Sequence, residues 1–182
     1  FKEEQDENLP YNKLAYDFVV NLGLMGHFVG DMGQPFHGTI DYDGYMSGHG
    51  GIHSYYEDTA VGAQPYNLTA NVVEAARKLQ MSAASKSKAE RAKTAFLQPS
   101  PVIDRMKALT DLSVREIKDI YAIDPVTKKS ELKKERGMEI KTAAERKPID
   151  LVAKKFEPLI IRQMARSAAL LAQFWDEAYA KV

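Results

Sequence analysis

"LIIRQMARSAALLAQFWDEAY", Leu159 to Tyr179, is the stretch that sets the fold class. Leu159, Ile160, Met164, Ala168, Leu171, Phe174, Trp175 and Tyr179 recur every three or four positions, which places them on one helical face. A terminal helix with such a stripe needs other elements to cover it, so it is expected to form part of a core. Near the other end, Leu14, Phe18, Leu22, Met25, Val29 and Met32 repeat the same period, predicting a helix from about Tyr11 to Gly33 between Pro10 and Pro35. Gly23, Gly26, Gly30 and Gly33 lie along it at three- and four-residue steps. Each costs about 1 kcal/mol relative to alanine in a helix interior, so the stripe predicts a crowded, buried helix.

Between these ends the sequence reads as loop and helix. Residues 38–52, rich in Gly, Asp, Ser and Tyr, read as a loop, and a short helix is expected from His53 to Val61. A helix starts near Thr69, and "KAERAKTAFLQ" continues or restarts it. Ser100 and Pro101 predict an N-cap and first-turn proline for a helix reaching about Ile123, closed by Asp124-Pro125. Residues 128–147 are dense in charge and poor in apolar anchors, and read as a solvated helical face or mobile insert, with a nucleic-acid contact as the lesser reading because Glu131, Glu135 and Glu139 interleave with the lysines. No strand-like alternation of useful length and no internal repeat is evident. The expected fold is all-α, a single helical domain over 1–182, with a metal-site half at 11–61 and a helical remainder at 62–182.

Composition narrows the chemistry. The chain has 182 residues, 45% hydrophobic and 27% charged, which suits a globular domain with a sizeable core. Basic and acidic residues balance at 25 each, so no bulk positive charge advertises nucleic acid or anionic membrane. There is no cysteine, which excludes disulfides, thiolate metal sites and cysteine nucleophiles. No apolar run is long enough for a membrane span, so no stable membrane insertion is expected. The start, "FKEEQDENLP", lacks an initiator Met and a basic-then-apolar leader, and reads as the middle of a longer chain.

The four histidines all fall between positions 27 and 53. His27 and Asp31 are four apart on the first helix and share a face. His37 follows the proline break, and His53 with Glu57 repeats the four-residue step. In a chain without cysteine, a zinc site must use imidazole and carboxylate. His37, His53 and Glu57 would make a three-ligand set, and His27 with Asp31 half of another.

"HFVGDMGQPFH" followed by "GIHSYYED" resembles the signature of the zinc-dependent phospholipase C and single-strand-specific nuclease superfamily. That signature is H-x3-D-x5-H with "GD" and "QP-x-H" inside it, followed by H-x3-D or H-x3-E. The resemblance is firm from about Tyr11 to Val61 and covers the remainder only in helical character. It implies a multi-helical phospholipase C/nuclease-like fold and up to three zinc ions in the complete protein. It also implies hydrolysis of a phosphodiester by a metal-activated water, without a side-chain nucleophile. His37, His53 and Glu57 match the ligands of one zinc. His27 and Asp31 match ligands of the other two, with Asp31 bridging.

The family's remaining ligands lie upstream, and none is present in this sequence, whose only tryptophan is Trp175. One of three sites is therefore completable, the chain reads as N-terminally truncated, and an upstream segment of the same protein is expected to finish the cradle. The preferred substrates are single-stranded nucleic acid or nucleotides, with a phosphatidylcholine-type phospholipase C acting on phospholipid headgroups as the alternative. A catalytically incomplete structural or binding domain is the reading from another class. Tyr45, His49 and Tyr56 are candidates for substrate contact, and Tyr42 and Tyr55 could also stack a base or line a headgroup pocket; ordinary packing around the loop is the simpler reading of each tyrosine, and a solvent-facing loop position that of His49. Asp41 and Asp43 read as turn residues first and as partners of the ligands second. Family members are exported, which implies a periplasmic or secreted location.

Overall fold

The structure is a computed structural model that describes residues 10–85 and 87–181. The reading of the start at Phe1 therefore lies outside the described residues. The chain is mostly helical. The elements are α1 (Lys13–Gly33), α2 (Ile52–Ser54), α3 (Leu68–Ala83), α4 (Lys88–Lys93), α5 (Val102–Val114), α6 (Ile117–Ile123) and α7 (Ala153–Tyr179). One short 3-10 turn follows α1 at Pro35–Gly38, and a π-helical segment, Tyr55–Ala60, continues α2.

Each end of α1 has a local cause. Asn12 caps the start, its Oδ1 accepting from the Ala15 amide at 3.0 Å. At the other end Pro35, with no N–H to donate, opens the 3-10 turn instead. The expectation of a crowded, buried helix is half right. Gly33 packs so closely on α7 that an added Cβ would lie 1.8 Å from the Ser167 Oγ, whereas Gly23 and Gly30 face open space. Val29 and Gly33 are the buried residues of α1, and Val19, Leu24 and Phe28 are exposed.

α7 is the spine, packing against α3 and α1. Its buried stripe is Phe156, Leu159, Ile160, Gln163, Ala165, Ala169, Leu170 and Phe174. Of the residues expected on the core face, Met164, Trp175 and Tyr179 are exposed instead. Met164, Ala168 and Leu171 line a groove of about 400 Å³ against α1. One apolar cluster joins Val29, Leu109, Leu170 and Phe174. A second joins Phe36, Ile52, Tyr56, Ile120, Phe156 and Ile160.

Two expectations are corrected. The helix expected to run from Pro101 to Ile123 is two helices, with Pro101 at the N-cap of α5 and a break at Arg115-Glu116. The break lets the buried Glu116 carboxylate accept from Arg162 Nε at 2.6 Å and Gln163 Nε2 at 3.0 Å, an ionic contact that a continuous surface helix would not make. Residues 128–147 form neither a helix nor an unstructured insert. They fold as strands β1 (Val126–Lys128), β2 (Glu131–Glu135), β3 (Met138–Thr142) and β4 (Glu145–Arg146). β2 pairs antiparallel with β3 from Glu131↔Thr142 to Glu135↔Met138, and β1 pairs with β4 at the base. Arg136 and Gly137 both have positive φ, 49° and 80°, as a tight two-residue hairpin turn requires.

A candidate metal centre at the lip of the core

Each of the three expected ligands follows directly on a buried anchor. Phe36 precedes His37, Ile52 precedes His53, and Tyr56 precedes Glu57; all three anchors belong to the second apolar cluster. Burial of these side chains fixes the backbone one residue away from each polar group, so the site inherits the rigidity of the core. Gln34 adds a second constraint. Its Oε1 accepts from the amides of Phe36 and His37, the latter at 3.3 Å, and caps the 3-10 turn. The His53 amide donates to Asp43 Oδ1 at 3.1 Å, which pins the start of α2 and gives Asp43 the supporting role. Asp41 is a turn residue, accepting from the amides of Met46 and Ser47.

The imidazoles of His37 and His53 stack with ring centroids 4.9 Å apart, and their Nε2 atoms approach to 3.3 Å. Glu57 closes the triangle, with Oε2 3.1 Å from His53 Nε2 and Oε1 3.6 Å from His37 Nε2. The wider π turn carries Glu57 as well as Tyr56, and such segments recur at functional sites. The tautomers are assigned from the partners of the other ring nitrogens. His53 Nδ1 lies 3.3 Å from the Tyr42 carbonyl oxygen, and His37 Nδ1 lies 3.4 Å from Asp31 Oδ1. With protons on both Nδ1 atoms, both Nε2 atoms would present lone pairs to a metal ion.

Two imidazole lone pairs and a carboxylate thus converge on one point. The Tyr42 hydroxyl lies 3.2 Å from His53 Nε2, and its ring stacks on His53 at 4.0 Å. Converging acceptors repel unless a cation lies between them. Tetrahedral zinc with bonds of 2.0–2.1 Å requires ligand atoms about 3.3 Å apart. The two Nε2 atoms are 3.3 Å apart, and the two oxygens of Glu57 lie 3.1 Å from His53 and 3.6 Å from His37, so the group is near that spacing with one carboxylate oxygen toward each imidazole. His37, His53 and Glu57 form a group that could hold a metal ion.

Asp31 and His27 are placed beside this group and outside it. Asp31 stands between two histidines, 3.3 Å from His27 Nε2 and 3.4 Å from His37 Nδ1. Its visible effect is to orient His37. The His27 side chain is 70% exposed, so it is the open edge of the constellation.

The three candidates for substrate contact separate. Tyr56 is buried, donates to Gln163 Oε1 at 2.6 Å, and is therefore a packing residue. Burial, reinforced by the Glu116 charge, pushes its phenol above the ordinary tyrosine range. His49 is not solvent-facing. Its Nδ1 lies 2.8 Å from Asp124 Oδ2, and its ring stacks on Tyr121 at 4.1 Å. Arg146 completes that clamp, donating to Asp124 Oδ1 at 2.7 Å and to the His49 carbonyl at 2.7 Å. The sequence reading missed Asp124 and Arg146, since 75 and 97 residues separate them from their loop partner. Tyr45 remains half-buried, with Lys141 Nζ 5.4 Å from its ring centroid.

No family profile, curated protein or solved structure matches this chain. Fold and site together define a mostly helical protein with a two-histidine, one-carboxylate group able to hold a metal ion.

Proposed function

We propose that this chain carries part of the centre of a zinc-dependent phosphodiester hydrolase of the single-strand nuclease or nucleotidase type. The observation that carries the reading is the convergence of His37 Nε2, His53 Nε2 and Glu57 on one point at 3.1–3.6 Å. The H-x3-D-x5-H and H-x3-E pattern of the zinc phospholipase C and nuclease superfamily supports it. His37, His53 and Glu57 hold the zinc, Asp31 and the Tyr42 carbonyl fix the two ring orientations, and Asp43 anchors the His53 backbone. Zinc, when bound, supplies Lewis acidity toward a phosphoryl oxygen and makes water a stronger nucleophile at neutral pH. The His27–Asp31 side needs further ligands from outside the described residues, which an upstream segment of the same protein would supply. Export to the periplasm or exterior belongs to the same reading; among the described residues no helix is long and apolar enough to cross a membrane.

A specific observation favours phosphatidylcholine-type phospholipase C activity as the second reading. The groove of about 400 Å³ between α1 and α7 has Asp31 and Glu57 among its lining and walls of Val29, Ile160, Met164 and Leu171, which suit an apolar chain. The full-length protein loaded with zinc decides between them when given single-stranded DNA, nucleoside monophosphates and phosphatidylcholine vesicles. The nuclease reading expects release of acid-soluble nucleotide or phosphate, abolished in His53→Ala. Release of phosphocholine alone would transfer the function to the second reading. No zinc-dependent hydrolysis of any of them would leave the incomplete binding domain as the remaining account.

A further inference from the structure

We propose that the β2–β3 hairpin and the loop it leans on form a track for the phosphate backbone of a single-stranded nucleic acid. This inference rests on the nucleic-acid branch of the proposed function. The whole chain is electrically balanced, yet residues 126–147 hold eight cationic side chains against four carboxylates. Every residue of β2 and β3 is exposed, so these strands contribute surface chemistry and no core.

The cations are only partly neutralised. Lys128 pairs with Glu145 and Lys133 with Glu131, whereas no ion pair closes on Lys129, Lys134, Arg136 or Lys141 among the described residues. Register sorts them by face. Leu132 stands opposite Lys141 and Lys134 opposite Glu139, so Lys134 and Lys141 share one side with the single carboxylate of Glu139, while Lys133, Glu131 and Glu135 take the other. The shared side is the one turned to the site loop, because Lys141 Nζ lies over the Tyr45 ring at 5.4 Å. Lys129 approaches the same loop, its side chain lying against Gly48.

The hairpin base is fastened to that loop. The Ser130 amide donates to the Gly48 carbonyl at 3.1 Å and the Ala144 amide to the Gly50 carbonyl at 3.0 Å. Arg146 holds the carbonyls of His49 and Gly50. The loop then runs into α2, where His53 sits, and its half-exposed Tyr42 stacks directly on that imidazole. Exposed cations followed by accessible aromatic rings form the arrangement that single-stranded nucleic acid uses, with phosphates on the cations and bases on the rings. A free phospholipid headgroup would need one such cation and no extended row.

The test is fluorescence anisotropy of a labelled single-stranded oligonucleotide with the full chain, in EDTA so that no hydrolysis contributes. The wild type is expected to bind with a log–log salt slope of about −2, as three phosphate contacts on a single strand give. The Lys129→Gln/Lys134→Gln/Lys141→Gln variant should bind about tenfold more weakly at low salt with a slope near zero. The corresponding Lys→Arg variant should retain binding, as should Lys78→Gln/Lys107→Gln on α3 and α5. Unchanged binding by the Gln variant, equal loss in the control, or capture by phosphatidylglycerol vesicles and not by the oligonucleotide would each overturn the track. Because EDTA removes any metal, oligonucleotide binding is read independently of hydrolysis. Failure of hydrolysis with binding intact would therefore refute the hydrolase and leave the track standing.

Discussion

Asp31 shows how one side chain can serve the site without joining it. Its two oxygens lie 3.3 and 3.4 Å from His27 and His37, which puts the carboxylate beside His37 Nδ1 while Nε2 of that ring faces His53. Removing such a partner commonly lowers metal affinity by about 10- to 100-fold while the ligands stay in place. Asp31→Asn should therefore weaken zinc binding at least about tenfold with an unchanged circular dichroism spectrum, as read by chelator competition. Full affinity in that variant would show that Asp31 does not orient His37. The residues of the candidate metal group were legible in the sequence from their four-residue steps and from the crowding of all histidines into one region. What supports them was less so. The Gln34 cap and the anchors Phe36, Ile52 and Tyr56 were written beside the ligands, but only burial distinguishes an anchor from any other apolar neighbour. His49 was misread for the same reason, since its partner Asp124 lies far along the chain, whereas Tyr56 is the packing residue that its simpler reading expects.

Among the elements, α1 offers a paired test of close packing. Ala at position 33 would place a Cβ 1.8 Å from Ser167 Oγ and 3.2 Å from Ser167 Cβ, and even after rotation of the hydroxyl the contact with α7 stays tight. Gly33→Ala should cost about 1–3 kcal/mol, whereas Gly23→Ala, in open space, should add up to about 1 kcal/mol of stability. Urea denaturation measures both; equal effects would contradict the packing described here. The junction of α5 and α7 offers a pH test. Glu177 accepts both terminal nitrogens of the buried Arg105 at 2.6 and 2.7 Å, and that bond holds its carboxyl below the usual glutamate value. A depressed folded value means that the pair stabilises above the unfolded pKa and that this contribution is lost as pH falls through the folded one. Wild type should thus lose stability more steeply than Glu177→Gln as pH falls below about 4. Parallel acid unfolding curves would exclude the linkage. Helices α1 and α7 were readable from their apolar period, which in α7 marks a long buried stripe. The hairpin at 126–146 was not, because a ribbon with no buried residue leaves only weak alternation, and its one strong cue was Gly137 before "MEIKT".

At the scale of the whole molecule, a helical core carries at its lip a polar group of two histidines and a carboxylate. Phe36, Ile52 and Tyr56 point into the cluster built around Phe156 and Ile160, and the residues after them meet above it. On one flank lies the groove against α7, on the other the loop clamped by Asp124 and Arg146. Apart from the hairpin, the all-α expectation describes this architecture, and the ligand spacing describes its site. The charge balance concealed the hairpin's local excess of cations, since a total reports nothing about distribution. The central claim is that His37, His53 and Glu57 hold one metal ion together. Isothermal titration with zinc of metal-free wild type and of His53→Ala, with folding of both confirmed by circular dichroism, tests it most directly. The account predicts a high-affinity zinc site in the wild type that disappears in the folded variant. A wild type with no such site, or a variant that keeps it, would contradict the account.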